Sequence, residues 1–511
     1  MASFKPDASF FKKIAIGANG AQAICEDLSQ HGHAMTELER GSTNTKLWKD
    51  VKRKRVRIPD LICRSCGRRV ESRAKTKPEL SMSHSDVDQE RSWDYGMLSE
   101  DWVAFPISVA TNSGAWSKGL FLNKASYWHE RDWSEWEVDG KINYFTVETF
   151  RRTPPDGSRR KGVTEGSELT LIWRAKFATC AGQVEAVEDN KIKIRPGGGR
   201  VRTLRLSPGL NAYVSVGENV RKHQILFSGP TPVSEQDLRC PGRLTDGFFE
   251  ACLASRERTV RFSGVKLSRI RGSRDHIEII TDMSHDSEED LYVRLEALAY
   301  LASVDSSPVE ELFGAYLCDP DAQIRLESVI TVGEIGTPGA VGLLGTILHD
   351  QNREYFLRSA AAWSLGNIGA SEAQEQLKKA FSDVSWSIRE EALDALVSIG
   401  ESALPALVPG LHSQDEDVAA GCAEVVRQLG GCTRGVLGAL GEKLLEASPP
   451  KWLVWLAGHV SPEELEEAIG SFDKLNAEVS YAVSLLWSFA RCWIARRWEL
   501  QRGVFPLNGG I

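Results

Sequence analysis

At 511 residues the chain is too long for a single hydrophobic core, and 42% apolar residues, 26% charged residues and fifteen tryptophans exclude a disordered or fibrous protein. A net charge of −8 excludes a chain that coats nucleic acid over its whole surface, although one stretch departs sharply: between Arg40 and Lys77 fourteen basic residues meet only Asp50, Asp60 and Glu71, a local net charge of +11. Ten cysteines, mostly isolated on apolar faces, form no small-protein disulfide framework, and no apolar leader with a cleavage site opens the chain, so a reducing cytoplasmic setting is expected.

In chain order, Phe10 to Arg40 reads as helix, broken near Gly32 and ending in the polar run Thr36-Glu-Leu-Glu39. Val56 to Cys63 then alternates like a strand, Cys63-Arg-Ser-Cys66-Gly67 makes a tight reversal, and Arg69 to Lys75 leads outward as the second arm of a hairpin. Period-two alternation puts Glu71, Arg73 and Lys75 on one face of the returning strand, with Asp60 in reach on its partner. Two carboxylates beside cations suit metal-dependent phosphodiester chemistry: hard oxygens hold Mg²⁺, and a cation positions water and offsets phosphate charge.

The order of helix acid, Pro-Asp, and glutamate followed by a cation resembles the PD-(D/E)xK superfamily of restriction-endonuclease-like nucleases over about 70 residues. That resemblance implies Asp60 and Glu71 as ligands of Mg²⁺ or Mn²⁺, and Glu39 or Glu37 as the acid that some members supply from the first helix. The usual lysine two residues after the glutamate is Arg73 here, which cannot serve as a general base at neutral pH, so Lys75 would take its place. The surrounding Lys52, Arg53, Lys54, Arg55, Arg57 and Lys77 form the expected DNA-binding surface. Cys63 and Cys66 are a C-x2-C half-site for zinc whose other half is missing from the local sequence; Cys25, His31, His33 and His84 could contribute only if folding brings them close.

Six tryptophans lie between Trp93 and Trp136, accompanied by acids rather than by lysine or arginine, which favours packing over base stacking. Leu169 to Thr231 alternates as short strands, and Tyr213 to Leu226 resembles barrel-sandwich hybrid elements. Lys191 near a hairpin tip lacks the carrier motif, and covalent cofactor attachment there is rejected. Arg200, Arg202 and Arg205 read as a solvated strand face. The basic run Arg256, Arg258, Arg261, Lys266, Arg269, Arg271 and Arg274 either extends a nucleic-acid path or is an exposed linker.

Internal repetition dominates the rest. Val293-Arg294, Ile324-Arg325, Leu357-Arg358 and Ile388-Arg389 recur at spacings of 31, 33 and 31 residues; the last three open apolar runs that close on Gly336, Gly369 and Gly400. Aspartates at 319, 321, 383, 415 and 417 sit where helix N-termini favour negative charge, and a degenerate copy spans Val418 to Gly430. The pattern resembles HEAT and phycobilisome-lyase repeats, which implies a solenoid offering a protein-binding surface. The repeated arginine is expected to bond to the neighbouring repeat. A Trp-rich helical segment, Pro449 to Trp498, would cap the stack, and Tyr481 to Ile494, interrupted by Arg491, is short of the roughly 20 residues a spanning helix needs.

The expected architecture is multidomain α+β: a restriction-endonuclease-like α/β domain (1–165), a small β-barrel-like module with a basic linker (166–285), a HEAT solenoid (286–435) and a helical cap (436–511). The expected function is a Mg²⁺-dependent endonuclease acting on DNA, suited to antiviral defence in prokaryotes, with the HEAT part recruiting a partner or substrate. The alternatives are a non-catalytic HEAT adaptor with a degenerate nuclease fold, and an RNA-acting or lyase-associated HEAT protein.

Overall fold

The computed structural model describes residues 8–39, 57–114, 133–161, 168–188, 191–205, 210–242, 244–429 and 431–487. They divide into two compact units, one reaching Tyr300 and the other beginning at Leu301. Lys52 to Arg55, Trp116 and Trp128 lie outside the described residues.

The first unit begins with α1 (Ala8–Ser29), β1 (Met35–Glu37), β2 (Leu61–Cys63), β3 (Arg69–Ser72), β4 (Leu80–Ser85), β5 (Trp102–Phe105), β6 (Ser108–Gly114), β7 (Trp133–Val138) and β8 (Asn143–Thr146). Its main sheet has the order β1-β2-β3-β5-β8, antiparallel throughout except for the parallel pair β3 and β5. The sequence expectation of helix through Arg40 is corrected here. Gly32 takes φ +84°, a left-handed turn that ends the helical region, and Met35 to Glu37 pairs with β2.

Both faces of this sheet are covered, which is why β5 is buried at all four positions. On one face Ala21, Ile24 and Leu28 of α1 pack with Leu61, Val70, Trp102, Ala104 and Tyr144. On the other, Val103, Phe105 and Phe145 join Trp93, Phe150 and Trp173. Gly20 lets α1 lie against the ends of β3 and β5, since a Cβ there would stand 2.7 Å from Ala74 Cβ and 3.0 Å from Pro106 Cγ. Trp93 and Trp102 are core residues, as their acidic surroundings suggested.

The chain continues through α2 (Val147–Arg152), β9 (Gly157–Lys161), β10 (Glu168–Trp173), β11 (Ala175–Phe177), β12 (Gly182–Glu188), β13 (Lys191–Arg195), β14 (Arg202–Arg205), β15 (Asn211–Ala212), β16 (Asn219–Val220) and β17 (Ile225–Ser228). The expected boundary at 165/166 falls between β9 and β10, yet β10 lies between β4 and β9 in one three-stranded sheet. The expected barrel is a set of open sheets: β14-β13-β12-β16 and β11-β17-β15. They share a core of Val184, Ile192, Ile194, Leu226 and Phe227, enough to bury their inner faces without closure. Lys191 is ion-paired with Glu188 at 2.8 Å.

Helices α3 (Asp246–Leu253), α4 (Arg258–Arg271), α5 (Ile277–His285) and α6 (Leu291–Tyr300) complete the unit. The basic run is therefore largely helical, and much of its charge is neutralised internally: Arg258 pairs with Asp290 at 2.9 Å, Arg261 with Glu289 at 2.6 Å and Arg269 with Glu296 at 2.7 Å.

The second unit is all helical among its described residues, with α7 (Val309–Leu317), α8 (Ala322–Ile335), α9 (Pro338–His349), α10 (Tyr355–Ile368), α11 (Ser371–Lys379), α12 (Trp386–Ile399), α13 (Leu404–Gly410), α14 (Glu416–Gln428), α15 (Gly431–Leu444), α16 (Lys451–Ala457) and α17 (Pro462–Ile469). The repeated apolar runs are α8, α10 and α12, and each packs on the next. Small residues set that approach: a Cβ on Gly333 would meet Ser364 Cβ at 2.5 Å, and one on Gly366 would meet Ala395 Cβ at 2.8 Å. Gly336 and Gly369 end α8 and α10 in the left-handed conformation, while Asp321 and Asp415 cap α8 and α14 with their carboxylates.

Two of the repeated arginines, Arg325 and Arg358, act between repeats, as expected, whereas Arg389 bonds within its own repeat. Arg358 donates from Nε to the Leu348 carbonyl at 2.8 Å and pairs with Asp383, and Arg389 donates to the Asp383 carbonyl at 2.6 Å. Arg325 reaches Glu354 of the next repeat. Trp386–Gly410 is long and apolar enough to resemble a membrane span, but it consists of α12 and α13 separated by a break at Gly400, where φ is +76°.

Candidate active site

The β2–β3 register pairs Leu61 with Val70 and Ile62 with Arg69. Continued by one residue, it sets Asp60 opposite Glu71, the relation that brings two side chains together across a pair of strands. Alternation then sorts the faces. Val70, Ser72 and Ala74 belong to the α1 side, since Val70 joins the α1 core and Ser72 and Ala74 lie beneath Gly20. Arg69, Glu71 and Arg73 take the other side.

Several contacts fix this arrangement. The Ser72 amide donates to Asp60 Oδ2 at 2.6 Å, and the Asp60 carbonyl accepts from the amides of Leu38 at 2.8 Å and Glu39 at 3.2 Å. Glu71 Oε1 is 3.0 Å from Arg73 Nη2, whose guanidinium also donates to the Trp93 carbonyl at 3.1 Å.

Burial raises the Asp60 carboxyl well above its ordinary range, and the charges of Glu71 and then Glu39 raise it further; the Ser72 amide and Arg73 oppose this. Three acids thus act on one another at the start of β2. Of the two candidates for the third acid, Glu39 acts on Asp60, whereas Glu37 lies on the α1 side and helps, after burial, to push the Cys25 thiol up to about 11. Glu39 follows β1 and is not on the first helix.

The cations are placed differently from one another. Arg73 acts on Asp60, while Lys75 contributes to lowering Glu79. Lys75 also forms a backbone bridge to Ile107, its amide donating to the Pro106 carbonyl at 2.9 Å. Arg57 is half-buried and donates to the carbonyls of Glu90 at 3.1 Å and Ser92 at 2.8 Å; burial first, then Arg73, lowers its pKa. Lys77 is exposed. Lys266 of α4, which the sequence offers only as part of the basic run, is 4% exposed and has its amine 3.5 Å from the Leu38 carbonyl.

At the opposite end of β2 the hairpin turn gathers the C-x2-C pair with two residues distant in sequence. His33, Cys63, Cys66 and Cys240 offer ligand atoms that all lie within 4.8 Å of one another. Of these, His33 was one of several histidines open to the sequence, and Cys240 was not singled out.

A HEAT-repeat family profile matches residues 353–427, the α10 to α14 portion of the second unit. Similar solved structures include human deoxyhypusine hydroxylase in complex with glycerol, 20% identical, covering 44% of this chain and 83% of that one with a TM-score of 0.18. An engineered protein is 18% identical and covers 46% of this chain and 75% of its own, with a TM-score of 0.22. The Escherichia coli protein YibA is 15% identical and covers 48% and 92%, with a TM-score of 0.24. No curated protein matches the chain. The profile match and the stacked helices α8, α10 and α12 carry the assignment of HEAT repeats to this region.

Proposed function

We propose that the first unit is a divalent-metal-dependent phosphodiesterase of the PD-(D/E)xK kind acting on DNA, and that the HEAT repeats are its scaffold for a protein partner or for substrate. One observation carries the enzymatic part: a half-buried Asp60 set opposite Glu71 across β2 and β3, with the charges of Glu71 and Glu39 acting on its carboxyl and the Arg73 guanidinium 3.0 Å from Glu71. Mutually repelling carboxylates with lost hydration are costly for a fold unless a cation relieves them, and such sites are frequently functional.

In this reading Asp60 and Glu71, helped by Glu39, would hold Mg²⁺ or Mn²⁺, which supplies charge neutralisation at the phosphate and increases the acidity of water. The Ser72 amide orients the Asp60 carboxylate. A guanidinium is a poor general base, so the role left to Arg73 is to offset phosphate charge. Lys75 would orient the nucleophile or the phosphate. For the scaffold, Tyr355 and Trp386 stand three residues before the repeated arginines of successive repeats and are 50% and 61% exposed, which suits a protein-binding face. A nuclease joined to such a scaffold is suited to antiviral defence.

Incubation of the purified chain with plasmid DNA, with Mg²⁺, Mn²⁺ or EDTA, tests the proposal. Cleavage that needs the ion and is lost in Asp60→Ala and Glu71→Ala is the expected result. The adaptor reading has its own support in the Arg73 to Glu71 ion pair, which stands where the superfamily has a lysine. It requires tight binding without cleavage, unaffected by EDTA, and that outcome would overturn the enzyme. Competition by RNA separates the third reading.

A further inference from the structure

We infer that His33, Cys63, Cys66 and Cys240 form a closed structural zinc site that fixes the β2–β3 hairpin tip to the loop following β17. Their ligand atoms lie mutually within 4.8 Å. A tetrahedral Zn²⁺ with bonds of about 2.3 Å to sulfur and about 2.1 Å to nitrogen needs neighbouring ligand atoms roughly 3.5 to 3.8 Å apart. Cys66 Sγ and His33 Nδ1 are already 3.5 Å apart.

The surroundings prepare the donors. His33 is 4% exposed, and its Nε2 lies 3.0 Å from the Leu238 carbonyl. Only the tautomer that carries the proton on Nε2 can donate there, and it leaves the Nδ1 lone pair directed at the sulfurs, the outer-shell arrangement that metal-bound histidines use. The turn has the form of a metal knuckle. The Ser65 amide lies 3.4 Å from Cys63 Sγ, the Gly67 amide donates to the Cys63 carbonyl at 2.9 Å, and Gly67 takes φ +72°.

Cys240 is delivered by backbone bonds on both sides of it. Its own amide donates to the His31 carbonyl at 2.9 Å, and the Leu244 amide donates to the Ser65 carbonyl at 2.9 Å. Three thiols and one imidazole favour Zn²⁺ over Mg²⁺ or Ca²⁺, which prefer oxygen, and four protein ligands leave no open position for a substrate. Zinc takes cysteine as thiolate, so occupancy falls in acid. His33 and Cys240 lie 207 positions apart in the sequence, and joining them restricts the unfolded chain as a long cross-link does.

Metal analysis of the full chain, purified under reducing conditions, is expected to give about one zinc per chain, retained in Asp60→Ala and in Cys25→Ser and reduced at least severalfold in Cys240→Ser. Exchange with Co²⁺ should give thiolate-to-cobalt charge-transfer bands and the intense visible bands of a tetrahedral ion. Titration of the wild-type chain keeps the test decisive should Cys240→Ser fail to fold. A folded wild-type chain that carries no zinc and gives no such bands, or one in which Cys63 and Cys66 are recovered as a disulfide with each other, would overturn the site.

Discussion

Asp60 is the residue on which charge, burial and register converge. Its carboxyl is raised well above its ordinary value near 3.8 by burial and by Glu71 and Glu39. The folded chain therefore keeps this proton where the unfolded chain has released it. Stability contributed by the group falls as pH rises from the ordinary value through the raised one, and stays at its lower level above that. Asp60→Asn preserves the acceptor for the Ser72 amide and removes the charge. It should raise the melting temperature of chain free of Mg²⁺ and Mn²⁺ at neutral pH, and change it little below the ordinary carboxylate value. A thermal melt series over pH reads this, and an Asn variant no more stable than wild type at neutral pH would show that the acids do not repel one another as described.

Among the elements, the ion pairs between repeats divide by burial. Arg358 and Asp383 are 5% and 8% exposed, and Asp383 also accepts from the Ser385 amide at 2.9 Å. Removing the guanidinium leaves a buried charge without its partner, so Arg358→Ala should lose about 3 to 5 kcal/mol. The Arg325 pair ends on the exposed Glu354, and Glu354→Ala should cost less than about 1 kcal/mol. Gly366→Leu should destabilise the second unit more than the same substitution at open Gly342, because its side chain would enter α12 at Ala395. Urea denaturation measures all three, and equal losses for Arg358→Ala and Glu354→Ala would refute the burial argument.

The repeats were legible because each copy states the same periodicity again, so that Arg325, Arg358 and Arg389 reinforce one another. The hairpin was legible because Cys63 to Gly67 concentrates the turn chemistry in five residues. Other features depend on distant pairing. Met35 to Glu37 has no strand signal of its own and is set by β2, while β10 is placed by β4, more than eighty residues earlier. The fourth member of the cluster with His33, Cys63 and Cys66 could not be chosen from Cys240 alone, because what singles it out is the bond of its backbone to His31.

For the whole molecule, charge distribution matters more than its total. The −8 of the chain coexists with +11 between Arg40 and Lys77, so on the proposed nuclease reading any affinity for DNA should depend steeply on salt even though the protein is acidic. Replacing Lys52, Arg53, Lys54 and Arg55 by alanine should weaken binding across all DNA sequences. The slope of log affinity against log salt should shrink by about 0.9 for each phosphate that is no longer neutralised. An unchanged slope would place the DNA-binding surface elsewhere.

The brevity of the hairpin has a consequence for how this protein can vary. Only Leu61 to Cys63 and Arg69 to Ser72 form its arms. Inserting or deleting a single residue between Cys66 and Arg69 would rotate Glu71 toward the aliphatic underside of α1 and bring Val70 or Ser72 across from Asp60. Working relatives should therefore tolerate exchanges of side chains along this ribbon far more readily than any change in the number of residues separating its two acids.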